Sequence, residues 1–513
     1  MSRRAAGAAA GDKCVAQNPL PIWIFFIGLL VMLRRDRRWL ARWPQLGLGV
    51  FAGLLAGYAV WRWVARPGPL NEEDGVALRG VLALCSGFAV PLVWVWSRAL
   101  VTHDLTRLWR HLRGTVLWTT VCVLVSILAA GIYFWFGTRL AACGVFHGID
   151  TLFGADPATY QDVLATKIGA HKHPLLASVW HVCFHVAALF VSAERAPLAI
   201  SSAAGGISVG LAAAYFRRVT GSAGLGCLAA LALGATAAHL VFGALPESYA
   251  VSTATLVLLN VVVACAAVPP VRFRHQVLAT VVAAGATSTN VGAALACFAA
   301  RHPGQRRPRS LLRWLACSVV LGGVLVTAQN ALLPQAAVAF QPGWFVHDVG
   351  FTAAGPSAEQ RASNLVGGLL VQNIVGAPPA IVDTNAGPVL QPGPYAGGMA
   401  RLTIIVWGVV LLAGAYGLIR ARPWHRPTFL AALGSLACAA VLHTFYGNDN
   451  LFLYSCSFTF YVLALLAHAL PARRPKTALI VVSSVLVLLI INNALFAAEI
   501  LVSLARLGPA AVH

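Results

Sequence analysis

Residues 106–137 read TRLWRHLRGTVLWTTVCVLVSILAAGIYFWFG. A cluster of arginines is followed by an apolar run from Thr115 to Gly137 that carries no Asp, Glu, Lys or Arg. A helix rises about 1.5 Å per residue, so this run suffices to cross a hydrocarbon core of roughly 30 Å. The arginines hold its start on the cytoplasmic side, and the helix therefore runs outward.

The same pattern recurs along the whole chain. Apolar runs fall near 19–33, 45–64 and 78–99 before this helix. After it come 174–191, 197–216, 224–243, 250–268, 275–299 and 313–332, and the last four are 401–420, 427–445, 451–470 and 478–503. The composition agrees: of 513 residues 59% are hydrophobic and 10% charged, with mean hydropathy +0.76. Such a balance excludes an ordinary soluble domain and defines an all-α polytopic membrane protein with roughly 12–14 transmembrane helices. The net charge of +21 lies in short arginine clusters between apolar runs. It reports topology and does not call for nucleic acid. Eleven cysteines lie mostly inside apolar runs with no CxxC spacing, so neither a disulfide framework nor a zinc site is expected. The run 19–33 is followed, not preceded, by its main positive cluster, which predicts a retained segment and no cleaved signal peptide.

If 115–137 runs outward, the segment that follows it is external. Phe146 to Leu175, FHGIDTLFGADPATYQDVLATKIGAHKHPL, gathers Asp150, Asp156, Asp162, Lys167, Lys172, His147, His171 and His173 between apolar runs. A full crossing at 174–191 would carry the arginines of FRRVTG and VRFRHQ outside. The positive-inside rule is kept if 174–191 lies in the interface and 275–299 is a short hairpin turning near GATSTN. Asp156, Asp162, Glu247, Asp348, Glu359, Asp383 and Asp449 then share the external face with Asp150, whereas Asp36 and Asp104 sit inside among arginines.

Within that segment, Asp156-Pro157 reads as a helix start, with Asp at the N-cap and Pro at the first position. Tyr160, Leu164 and Ile168 would then form an apolar stripe lying on the bilayer. Glu247, in ALPESYA, either caps the next helix or converges with Asp156 on a hydroxyl acceptor as a general base. His171, Lys172 and His173 either anchor the following helix in the interface or bind a lipid phosphate. His181 and His185 have the spacing of a metal pair but lack a carboxylate partner, and they read as the polar face of an interfacial helix. A second polar region, Pro334 to Met399, contains a short amphipathic helix over Ser357–Asn373 with Ser357 as N-cap; its Arg361 is a further phosphate-binding candidate.

Together these positions resemble the GT-C superfamily of membrane glycosyltransferases, in its protein O-mannosyltransferase and aminoarabinose transferase branch. That branch carries an external Asp-Glu-x-x-Tyr motif, matched here by Asp156 and Tyr160 with Pro157 in place of Glu. Its Lys-Pro-Pro-Leu is similar to Lys172-His173-Pro174-Leu175, and its further acidic residue would be Glu247. The resemblance implies N-terminal transmembrane helices over 1–112 and a catalytic core over 113–335 with the external loop 138–173. A periplasmic loop (336–400) and C-terminal transmembrane helices (401–513) follow.

It implies a bacterial inner-membrane enzyme whose active site faces the periplasm. By the same resemblance a polyprenyl-phosphate-linked sugar would be the donor, and a hydroxyl on a lipid, glycan or protein the acceptor. Asp156 and Glu247 would be catalytic, with Lys172, His173 and Arg361 on the donor phosphate and Asp150, Tyr160 and His171 in support. No coordinating constellation singles out a metal, and the requirement for a divalent cation stays open. The rival readings are a transporter or lipid flippase, and a polysaccharide polymerase or ligase that uses a diphosphate-linked donor.

Overall fold

In a computed structural model, the described residues are 105–147, 152–161, 172–265, 273–302, 307–334, 357–384, 387–470 and 475–507. The runs expected at 19–33, 45–64 and 78–99 lie outside them, as do Asp150, Asp162, Leu164, Lys167, Ile168 and His171.

Helix α1 (Leu105–Ala142) contains the stretch quoted above. Its apolar residues divide between two surfaces. Val125, Ala129, Tyr133, Phe136 and Leu140 are buried, whereas Leu117, Leu124, Leu128, Ile132 and Trp135 are exposed. Both sets repeat at about helical spacing, so one face packs on protein and an equally apolar face is left for lipid. The partner is α3 (Ala196–Thr220), which closely approaches α1 because Gly206 and Gly210 sit directly against Ser126.

Among the described residues, six helical segments are long and apolar enough to cross a membrane: Val116–Ala142, Ala193–Thr220, Pro308–Leu332, Gly398–Ala421, Pro427–Phe445 and Lys476–Leu507. The chain is a multi-pass, essentially all-α membrane protein. Between α1 and α3, α2 (Leu176–Ala187) has 12 residues, a length of about 18 Å that is too short to span, as its expected interfacial position requires.

The run expected as a single helix at 224–243 is instead two, α4 (Ala223–Gly234) and α5 (Ala237–Gly243), bent by 64°. A distant segment causes the break. Residues 373–376 are wholly or almost wholly buried alongside it, and the Asn373 and Ile374 carbonyls accept from the Ala238 and Ala237 N–H groups at 3.1 and 3.2 Å. The Asn493 side chain donates to the carbonyls of Ala235 (2.6 Å) and Ile374 (2.9 Å) and accepts from the Gly376 N–H (2.8 Å). Backbone groups released by the bend thus find partners inside the bundle, the condition for irregular backbone at membrane depth.

Helix α6 (Ser248–Ala264) leads to the segment expected to double back. Helices α7 (Phe273–Ala286) and α8 (Val291–Arg301) do so around a tight turn at Ser288–Asn290. His302 and Gln276 meet at 3.3 Å across the open end, which fixes the two helices as an antiparallel hairpin. Asn290 closes the tip by donating to Ala283 O at 3.0 Å. Helix α9 (Arg307–Leu332) covers this hairpin, with Trp314 stacked on Phe298 and donating to Thr280.

The second polar region is more structured than expected. Its amphipathic helix is present as α10 (Ala358–Gly367), capped by Ser357 as the sequence predicts, and runs into a wider turn over Gly368–Gln372. Beyond it lies an antiparallel hairpin that the sequence reading did not anticipate: β1 (Pro379–Thr384) pairs with β2 (Gly387–Pro392), Ile381 opposite Leu390. Gly387, at φ +119°, makes the turn. Helices α11 (Gly398–Ala421), α12 (Pro427–Phe445), α13 (Cys456–Ala469) and α14 (Pro475–Leu507) complete the chain. The run expected unbroken at 451–470 divides at Ser455, where the turn Leu451–Tyr454 meets α13 and the Ser455 hydroxyl donates to Phe452 O at 2.6 Å.

Candidate active site

A cavity of about 580 Å³ opens among the α6, α12 and α13 faces, the α7–α8 tip and the loop that follows α1. Into it the structure brings Asp156, Tyr160, Lys172, His173 and Glu247, from three separate segments. Arg361 is not among the residues lining it. That arginine lies half-buried on α10, where its carbonyl accepts from Asn448 at 3.2 Å.

The loop carrying Asp156 is rigidly seated. Phe153 and Gly154 both adopt positive φ (55° and 73°), and the turn closes with Ala155 N–H donating to Leu152 O at 3.0 Å. Gly154 lies so close to the Asn450 side chain that a Cβ could not be added there. Leu152 bridges to Leu390 of β2, and the Phe153 N–H donates to the Leu390 carbonyl at 2.9 Å. The Phe153 ring is fully buried between Phe452 (5.0 Å) and Phe496 (5.9 Å). Such tightly packed anchors restrain the loop that carries the carboxylate.

Asp156 occupies the N-cap position before a single 3₁₀ turn, Pro157–Tyr160, but its side chain makes no capping bond. Its backbone N–H donates to Glu247 Oε1 at 2.8 Å. Glu247 is the N-cap of α6; Oε2 accepts from the Ser248 N–H at 3.0 Å. The Ser201 hydroxyl exchanges bonds with the Glu247 backbone, donating to its carbonyl at 3.2 Å and accepting from its N–H at 3.1 Å. Tyr160 completes the arrangement with a side-chain bond to Glu247. Tyr160 does not lie on the bilayer: it is buried, packed on Trp180 at 5.4 Å. The stripe reading fails there because the phenol turns inward to reach a buried carboxyl.

Burial pushes the Glu247 carboxyl up to about 8, and the neighbouring Asp156 charge acts in the same direction. The two backbone N–H groups and Tyr160 oppose the shift without overcoming it. Burial likewise raises the Tyr160 phenol well above its ordinary range. At neutral pH Glu247 is thus mostly protonated, and the two carboxyl groups differ in character: one buried and neutral, the other at the cavity wall.

The basic string is stitched to the tip of the α7–α8 hairpin. Ser288 N–H donates to Lys172 O at 2.8 Å, Leu175 N–H donates to Gly285 O at 2.9 Å, and His173 Nδ1 lies 2.7 Å from Ala286 O. A carbonyl partner requires the proton on Nδ1. Below this seam, buried Gln329 of α9 donates to Pro174 O at 3.0 Å and accepts from the Ser178 hydroxyl at 2.7 Å. Lys172 and His173 therefore face the cavity from a braced segment. His181 and His185 pack ring against ring at 4.6 Å on α2, outside the cavity. Among the described residues no group of three or more His, Cys, Asp or Glu is arranged to hold a metal ion.

The sequence reading missed most of the opposite wall. Tyr249, His443, Tyr446 and Tyr454 form a ring-on-ring band, with His443 stacked on Tyr454 at 5.0 Å, Tyr446 at 5.3 Å from Tyr454 and Tyr249 at 5.8 Å. The available signal was the run of aromatics around Gly447, whose φ of +62° turns the chain beneath Tyr454.

Fold and cavity together define a multi-pass helical membrane protein with an ionisable pocket at one end of a helix cluster. The chain matches no protein-family model, and no curated protein or solved structure is significantly similar to it.

Proposed function

We propose that the chain is a membrane glycosyltransferase of GT-C type, transferring a sugar from a polyprenyl-phosphate-linked donor to an acceptor hydroxyl on the outer side of a bacterial inner membrane. The observation that carries this reading is the convergence of Asp156, Glu247, Lys172 and His173 on one cavity, although they lie on segments far apart in sequence.

Asp156 takes the acceptor's proton while the acceptor oxygen forms a bond to the anomeric carbon. The bond from that carbon to the phosphate oxygen breaks, its electron pair leaves with the polyprenyl phosphate, and the anomeric configuration inverts. Lys172 supplies a cation to the phosphate and His173 a hydrogen-bond donor when its second nitrogen is protonated. Because the phosphate is already charged, positioning and electrostatics dominate. Glu247, buried and mostly neutral, acts by fixing the main chain of Asp156.

The test is transfer in proteoliposomes with undecaprenyl-phosphate sugars. Asp156→Asn should lower the rate by about 10²- to 10⁴-fold, the range for loss of a general base. Lys172→Ala should raise the donor KM more than the acceptor KM. Wild-type transfer by Asp156→Asn would overturn the reading, and activity only with diphosphate-linked donors would favour a polymerase or ligase. A transporter or flippase is the second reading, favoured by the interrupted α4–α5 pair and the α7–α8 hairpin, since transporters build sites from broken helices. The α4–α5 break, however, bonds to residues 373–376 and Asn493 and does not line the cavity.

A further inference from the structure

The cavity is deeper than the chemistry proposed for its mouth requires. It follows Tyr249, Ser252 and Leu256 down α6, and Ser435, Cys438, Ala439, Leu442 and His443 along α12. These spacings of three and four mark a single helical face, so the cavity is a shaft running along the helices. From His443 to Ser435 it descends ~12 Å at 1.5 Å per residue. Its mouth holds Asp156, Lys172 and Glu247, its waist is the aromatic band, and its floor is polar.

That floor gathers polar groups whose hydrogen bonds to one another are poorly formed. Ser435 and Tyr461 line the shaft and are 1% and 2% exposed; their hydroxyls face each other, yet neither makes a hydrogen bond of good geometry. Asn260 also faces Tyr461, with its side-chain oxygen equally short of a well-formed bond and its amide committed to Leu256 O at 3.0 Å. Buried polar atoms of this kind are costly unless a ligand or ordered water completes them. A single sugar ring reacting at Asp156 is shorter than the ~12 Å that separates His443 from Ser435 along α12.

We propose that the shaft holds an elongated, hydroxyl-rich moiety at least two sugar rings long, stacked on the aromatic waist and read at its far end by Ser435 and Tyr461. The inference rests on the glycosyl-transfer reading for the assignment of sugars. Rings with an apolar face suit the aromatic wall, and their hydroxyls both donate and accept, as the mixed groups of the floor demand.

Binding to the purified full-length chain in nanodiscs tests this, with five probes. They are undecaprenyl phosphate, the same lipid bearing one hexose or two, and the methyl glycosides of the mono- and disaccharide. Two-ring probes should bind about tenfold more tightly than one-ring probes. Ser435→Ala and Tyr461→Phe, each deleting one oxygen, should each reduce that ratio about three- to tenfold and leave the affinity for bare undecaprenyl phosphate unchanged. Equal affinity for one and two rings, or a ratio unmoved by both variants, would show that the floor holds water only and overturn the proposal, as would failure of every glycoside to bind. If no undecaprenyl probe binds but the methyl disaccharide still outbinds the monosaccharide in a floor-dependent way, the donor assignment falls and the shaft stands.

Discussion

Glu247 shows how much one residue can organise. Its carboxyl receives the Asp156 and Ser248 N–H groups and Tyr160, and its pKa is pushed to about 8 by burial. A carboxyl whose folded value exceeds its unfolded value of about 4.5 gives a contribution fully present below pH 4.5. That contribution declines as pH rises and is lost once pH passes about 8. The apparent thermal midpoint of the purified chain should therefore fall between pH 6 and pH 9. In Glu247→Gln, which cannot ionise, this part of the fall should disappear, at a cost of about 1 kcal/mol for an imperfectly replaced bond. Identical pH slopes in the two proteins would rule out a titrating Glu247. The sequence marked Asp156 and Glu247 because carboxylates between apolar runs are conspicuous. It did not reveal that one is buried against the backbone of the other, since nothing local to either encodes a contact across 91 positions.

At the scale of elements, legibility follows the range of the cause. The α7–α8 hairpin was visible in sequence because its breakers are its own residues, Gly285 and the polar string Thr287–Asn290. The Ser357 cap was equally local. The α4–α5 break was not visible, because residues 373–376 and Asn493 produce it from far along the chain. The β-hairpin was lost in a region that reads only as rich in Pro and Gly. Asn493→Leu isolates the remote cause: it strips the side-chain partners from Ala235 O and Gly376 N–H and one of the two donors from Ile374 O, which keeps the Ala237 N–H. At about 1–3 kcal/mol for each unsatisfied buried group, a loss of several kcal/mol is expected, read as a lower thermal midpoint in nanodiscs. Asn492→Leu, whose side chain makes one bond to Gly376 O and one to its neighbour Asn493, should cost less. A costlier Asn492 variant would place the keystone elsewhere.

For the whole molecule, the all-α membrane class was legible from composition and run length, and the six long apolar helices agree with it. Sidedness rests on the arginine clusters. Single cysteines introduced at Gln161 and at Arg218 into a cysteine-free background should differ in labelling by a membrane-impermeant maleimide. Position 161 should react from outside intact cells and position 218 only after permeabilisation; the reverse pattern would invert the proposed topology. The aromatic wall of the cavity was illegible because its rings come from α6, α12 and the turn before α13, and only the bundle's closure brings them together.

Closure also sets an order of events. The loop bearing Asp156 emerges early in synthesis, yet its Phe153 is wedged against Phe452 and against Phe496 of the last helix, and its backbone leans on β2. Chains are made from the N-terminus onward. A nascent copy therefore carries Asp156 for most of translation without the surfaces that seat its loop. Seating of the Asp156 loop waits on insertion of α14, whose Phe496 completes the surface that Phe153 packs against.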